Sequence, residues 1–330
     1  MHIPDGFVDA KTAIAAAAIS AAGVGIALRH LRRTLPARRV PLIGLAAAFV
    51  FAAQMLNFPI AGGTSGHLIG AVLAAVLLGP SAAVLVLTAV LILQCLMFAD
   101  GGVTALGANI LNMALVAPVV GYAVYSLVAR VAGRQLRGRL LATAFAAWCS
   151  TVAASVTCAG ELAFSGTVAW RVAFPAMAGI HVLIGLGEAV ITTLVVAGVA
   201  RVRPELFAAE AQPGVRLQYR TFLTYGLLVS LGLALFVAPF ASGWPDGLEK
   251  VAATLGFDAT AAPAPVLPAP LPDYGIPGLS SVVLSTVIVG LAGTLVAFLL
   301  AFVLARVLTP ASPRGRPRSA NESRRASPLH

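Results

Sequence analysis

Nine predominantly apolar stretches, broken by glycine, proline and arginine, set the limits on how this chain can fold. They fall at about 12–29, 41–57, 65–79, 81–98, 106–129, 140–163, 172–200, 220–240 and 280–305. A helix that crosses a bilayer needs about 20 such residues, with ~17 to 25 tolerated. The predicted fold class is therefore all-α: a polytopic membrane helix bundle of about nine transmembrane helices. The third stretch is marginal as a full crossing, and only Gly79-Pro80, a helix-breaking pair, separates it from the fourth.

Composition agrees with that reading. Charged residues make up 10% of the chain, against about 25% in a soluble domain, and the mean hydropathy is +0.94. The net charge of +10 does not point to nucleic acid, because the basic residues sit in clusters between apolar runs and are not interleaved with aromatics. The lipid bilayer is the expected surround, in a multi-pass protein of the cell membrane. Cys95, Cys149 and Cys158 lie within apolar stretches and lack disulfide or zinc spacing. The start does not read as a secretory signal, since Asp5 and Asp9 precede the first basic residue, Lys11. A retained terminus with a free amine is expected.

Orientation follows from the loops. Arg29, Arg32, Arg33, Arg38 and Arg39 follow the first run, and Arg130, Arg134, Arg137 and Arg139 follow the fifth. Arg201, Arg203, Arg216 and Arg220 follow the seventh, and six arginines between Arg306 and Arg325 follow the ninth. Nine spans threaded in series put these 19 of the 22 basic residues on one side, with Lys11, Arg171 and Lys250 on the other. The positive-inside rule makes the rich side cytoplasmic. The N-terminus is then expected outside and the C-terminus inside, and the glycine-rich bend AGGTSGH shares the outer face with residue 1. Residues 241–277 form the long outer segment, with a capping pattern at Asp246 and Glu249, a stop at Gly256 and a proline-rich linker, APAPVLPAPLP. The tail from Pro310 is arginine-rich and expected to be disordered.

Several residues could carry chemistry. A terminal amine, the first peptide nitrogen and an imidazole at position 2 can form fused chelate rings on one metal ion. A nitrogen of His67 would complete four ligands. Such an all-nitrogen, square-planar set suits Ni(II) or Cu(II), with Co(II) weaker. The plainer alternatives are a solvated terminal His2, and a His67 that caps a helix or bonds a neighbouring loop. His181 and Glu188 lie seven residues apart on one helical face, where a structural polar network competes with a functional one. Asn57, Asn109 and Asn112, with Gln54 and Gln94, read as interhelical bonds or as supports of a site. The stripe Ala13, Ala17, Ala21 permits close helix approach. Neither G-x-x-x-x-G-K-[ST] nor H-E-x-x-H occurs, so ATP hydrolysis would need other subunits and an intramembrane metalloprotease is disfavoured. A membrane-embedded metalloenzyme using His181 and Glu188, and a structural assembly subunit, remain as alternatives.

MHIPDGF, FVFAAQMLNFPIAGGTSGHLIGA, FADGGVTALGANILNM and HVLIGLGEAVIT together resemble the CbiM/NikM family. These are the substrate-specificity membrane components of energy-coupling-factor transporters for cobalt and nickel. The resemblance covers about residues 1–205, a seven-helix unit, and implies a metal held by the amine of Met1, nitrogens of His2, and His67. The part within 206–309 is similar to the small CbiN/NikN accessory component, with PDGLEKVA and PDYGIPG between two spans; 310–330 is the basic tail. Cobalt-type members often carry SHPTG at the bend where this chain has GHLIG, which leans the reading to nickel. The implied partners are a CbiQ/NikQ-type coupling subunit and CbiO/NikO-type ATPases. No permanently bound cofactor and no enzymatic activity are implied; Ni2+ or Co2+ is the transported substrate.

Overall fold

The computed structural model describes residues 1–133, 135–204 and 219–309. The predicted disordered tail and part of the segment joining the two expected units, where Arg216 falls, lie outside the described residues, as does Arg134. Among the described residues, eight helical spans are long and apolar enough to cross a membrane. They are built from α1 (Ala10–Thr34), α2 (Val40–Gln54) with a short turn before it, α4 (Pro80–Phe98) and α5 (Leu106–Asn109), which continues through a π-helical turn into α6 (Ala117–Ala132). Then come α7 (Leu136–Phe164), α8 (Trp170–Val202), α9 (Tyr219–Gly232) extended to Phe240, and α11 (Val282–Leu308).

The count differs from nine at the third apolar run. Its first two residues end a hairpin that begins before it, β1 (Phe58–Ile60) against β2 (Thr64–Gly66), and only α3 (Ala71–Leu78) is helical. The cause is glycine: Gly62 and Gly63 turn the hairpin at φ 79° and 70°, and Gly70 and Gly79 bracket α3 at φ 74° and 93°. Eight helical residues rise about 12 Å, far short of a hydrocarbon core of about 30 Å. Non-helical backbone in that position must be satisfied by protein. Glu188 on α8 does so, accepting from the N–H of Ile69 at 2.6 Å and of Gly70 at 2.9 Å.

The alternating path survives the change. The terminal loop bonds the loop after α4 (Gly102 N to Ile3 O, 2.9 Å) and the turn after α7 (Thr167 Oγ1 to Phe7 O, 2.6 Å). The hairpin bonds the segment after α9 (Ser65 N to Pro245 O, 2.9 Å). These loops therefore gather at one end of the bundle. The short helix α10 (Gly247–Leu255) lies there too, its capping box formed by Asp246 and Glu249 as the sequence predicts. The last span is docked and not appended: α11 packs along α2, and Gly293 stands where any Cβ would strike the ring of Phe51. Elsewhere large apolar side chains such as Ile14, Leu127, Leu186 and Val307 are uncovered, as lipid-facing surfaces require.

Candidate functional site

Residues 1–8 fold back into the mouth of the bundle. Asn109 clamps Ile3 on both sides, accepting from its N–H at 2.8 Å and donating to its carbonyl at 3.1 Å. Asp5 accepts from the N–H and hydroxyl of Thr104 and from the N–H of Val266, while its carbonyl takes the N–H of Ala262. Burial works against its charge, yet the Thr104 bonds outweigh it and hold the carboxyl below the ordinary range. Gly6 turns at φ 95°, and a Cβ there would run into the backbone of Thr260 and Ala262. The terminal loop is thus seated between the α4–α5 loop and the segment after α10.

That seating brings three sequence-predicted residues together. The Met1 amine lies 2.8 Å from Nε2 of His67. The rings of His2 and His67 stack with centroids 5.1 Å apart and planes at 21°. Met1 and His67 are 3% and 7% exposed, so the cluster is closed to bulk water. Nδ1 of His67 donates to the carbonyl of Leu68 at 3.3 Å, leaving Nε2 as the acceptor of an amine proton. Burial, and then the terminal ammonium and His2, hold His67 well below its ordinary value. Burial also lowers His2, against the pull of Asp100.

Three acidic or phenolic groups complete the site, and the sequence did not assign them to it. Oδ2 of Asp246 contacts the Met1 amine at 2.5 Å, and burial is outweighed there by the ammonium, which holds the carboxyl low. Asp100 meets Nδ1 of His2 at 3.1 Å, with Gln94 Oε1 3.3 Å from its Nε2. Tyr274 donates to the other oxygen of Asp100 at 2.5 Å and stacks on Phe98 with centroids 4.7 Å apart. Two of these, Asp246 and Tyr274, come from the segment between α9 and α11. Among the described residues, no three His, Cys, Asp or Glu side chains converge as a ready metal site.

The remaining predicted residues divide. Asn109 supports the site through Ile3, as described. The backbone carbonyl of Asn57 accepts from the N–H of Ser242 at 2.8 Å. Asn112 is elsewhere, donating to Glu161 on α7 at 2.7 Å. His181 and Glu188 do not bond each other: His181 meets the carbonyl of Met177 at 2.8 Å, and Glu188 commits both oxygens to the start of α3.

Residues 2–206 match a family model described as the cobalt uptake substrate-specific transmembrane region, CbiM. Residues 220–310 match the PDGLE domain. A putative fused nickel transport protein NikMN of Archaeoglobus fulgidus is 38% identical over 298 residues, covering 90% of this chain and 95% of its own. The fused nickel transport protein NikMN of Rhodobacter capsulatus is 36% identical over 327 residues, covering 89% and 94%. A crystal structure of a truncated transition metal transporter aligns with a TM-score of 0.56 at 36% identity, over 61% of this chain and 99% of that one.

Proposed function

This multi-pass membrane chain belongs to the CbiM family, with a PDGLE domain fused behind the family region, and on that premise we propose that it is the substrate-binding component of an importer for Ni2+ or Co2+. The metal is captured by the amine of Met1, nitrogens of His2 and His67. The observation that carries this reading is the 2.8 Å separation of the Met1 amine and His67 Nε2. Two nitrogens in adjacent corners of a square around a metal, each at about 2.0 Å, lie about 2.8 Å apart. A metal ion can therefore replace the shared proton with little movement of either nitrogen. Nδ1 of His2, which closes the chelate ring, faces Asp100, so loading exchanges that carboxylate, and Asp246 on the amine, for the metal. Loading releases the ammonium proton, takes the proton off Nδ1 of His2 that Asp100 holds and, where the first peptide nitrogen binds, releases its proton as well.

The proposed orientation puts this end of the bundle outside and the arginine-rich end in the cytoplasm. Residues 1–205 are the metal-binding unit, 206–309 the accessory unit and 310–330 a basic cytoplasmic tail. The relatives named above are transport proteins, and the sequence lacks a phosphate-binding loop. The working importer accordingly adds a CbiQ/NikQ-type coupling subunit and CbiO/NikO-type ATPases. Nickel is favoured over cobalt by GHLIG at the bend.

Placing one alanine before Met1 tests the reading, because it moves the amine while every side chain remains. With all subunits present and expression matched, uptake of radiolabelled nickel is expected to fall to background. Unaltered uptake would return the terminal heptad to a structural role.

A further inference from the structure

A cavity of about 420 Å3 lies between α2, α3, α8 and α9, away from the mouth that holds Met1 and His67. Its lining takes in Leu42 near the start of α2, Leu78 at the end of α3 and Val202 at the end of α8, so it belongs to the arginine-rich half of the bundle. Every lining residue except Tyr225 carries a hydrocarbon side chain or is glycine. A space walled in this way stays dry. It is not closed, however: the lining residues Val202, Tyr225 and Val229 are 69%, 66% and 55% exposed on the outside of the bundle. The cavity therefore opens sideways, to the hydrocarbon that surrounds the spans.

Size and charge identify the occupant. A helix about 10 Å across would fill this volume in roughly one turn, too little to seat a partner's span, whereas a flexible acyl chain fits. Arg38 and Arg39 come four and three residues before Leu42, a spacing that puts residues on one side of a helical turn. Arg201 adjoins Val202. All three arginines are exposed, and none makes an ion pair among the described residues. The guanidinium of Arg203 lies 4.9 Å from the ring centroid of Phe222, a lining residue of α9, and adds positive charge to the same rim. Basic rims between spans suit anionic headgroups. We propose that the cleft seats one anionic phospholipid of the bilayer, with an acyl chain in the cavity and its phosphate among Arg38, Arg39 and Arg201. Because α2, α3 and α8 come from the family region and α9 from the fused unit, this lipid packs between the two units and holds α9 in place.

Native mass spectrometry of the full-length chain in mild detergent, stripped of lipid and then offered phosphatidylglycerol or phosphatidylcholine, tests this. The parent is expected to retain one phosphatidylglycerol, to prefer it over phosphatidylcholine about tenfold or more, and to melt at higher temperature with it. Gly198 lines the cavity, and a Cβ built there meets nothing within 4 Å. Gly198→Leu should therefore fill the space without a clash, cut retention of both lipids at least tenfold and make melting indifferent to them. The double variant Arg38→Gln, Arg201→Gln leaves the cavity intact and should lose only the preference for phosphatidylglycerol; it decides the matter if Gly198→Leu fails to fold. A parent that retains no lipid, or a double variant with undiminished preference, would overturn the proposal. So would a folded Gly198→Leu that keeps its lipid. Should that variant keep its lipid yet lose co-purification with the coupling subunit, the cleft belongs to that subunit instead.

Discussion

Burial holds His67 well below the ordinary histidine value of 6.5, with help from the terminal ammonium and His2. The unfolded chain therefore binds a proton below pH 6.5 that the folded chain refuses. Stability then rises with pH from the depressed folded value up to about 6.5 and levels off above it, at up to about 1.4 kcal/mol per pH unit for this one group. The metal-free protein in detergent should melt at higher temperature at pH 7 than at pH 5, and His67→Gln should flatten part of that rise. Asp246 is also held low by the ammonium and acts in the same sense on the acid side: its contribution is present above the ordinary carboxylate range and is lost as pH falls below it. Asp246→Asn breaks a pair whose partners are 3% and 14% exposed and should cost about 3 kcal/mol, read as a lowered melting temperature at pH 7. Met1, His2 and His67 were legible because a chain with five histidines had placed two near one end of its spans. Asp246 was legible only as a helix cap, and it is one: Oδ1 takes the N–H groups of Leu248 and Glu249. Its other oxygen binds the amine, and nothing local in the sequence marks a second use of the same side chain.

Apolar length alone reads helices well where glycine is sparse, and the eight long spans fall within a few residues of the predicted runs. It misreads the stretch 65–79, because hydropathy cannot distinguish a spanning helix from a hairpin followed by two helical turns. The substitute for helical bonding there is Glu188, whose pairing with Ile69 and Gly70 crosses more than a hundred residues and leaves no periodic trace. Glu188→Ala should leave two buried N–H groups without acceptors, at about 1–3 kcal/mol each. It should also release His67, two residues before Ile69, from its place beside the amine. Nickel affinity is expected to drop at least tenfold, with the protein still inserted, and Glu188→Gln to recover part of it through its single amide oxygen. Equal affinity in Glu188→Ala and parent, by calorimetry in detergent, would detach α3 from the site.

Taken as a whole, the chain ties its second unit into the first at several places: α11 along α2, Tyr274 on Asp100, Ala262 on Asp5 and Asp246 on the amine. The two-span resemblance of the second unit was visible in PDGLEKVA, but its reach to the amine was not, since no pattern within either unit encodes a contact between them. Because Asp246 arrives on a tether, each amine has one carboxylate at a local concentration on the order of millimolar, whatever the cell's expression level. Cutting the chain between α8 and α9 and producing the halves from separate promoters would remove that guarantee. Nickel uptake should then climb with the dose of the second half and saturate at equal copies, whereas the intact chain should show uptake proportional to its own abundance. Joining the units fixes a one-to-one ratio of the half that carries the amine to the half that covers it, a gene-dosage problem solved in a single open reading frame.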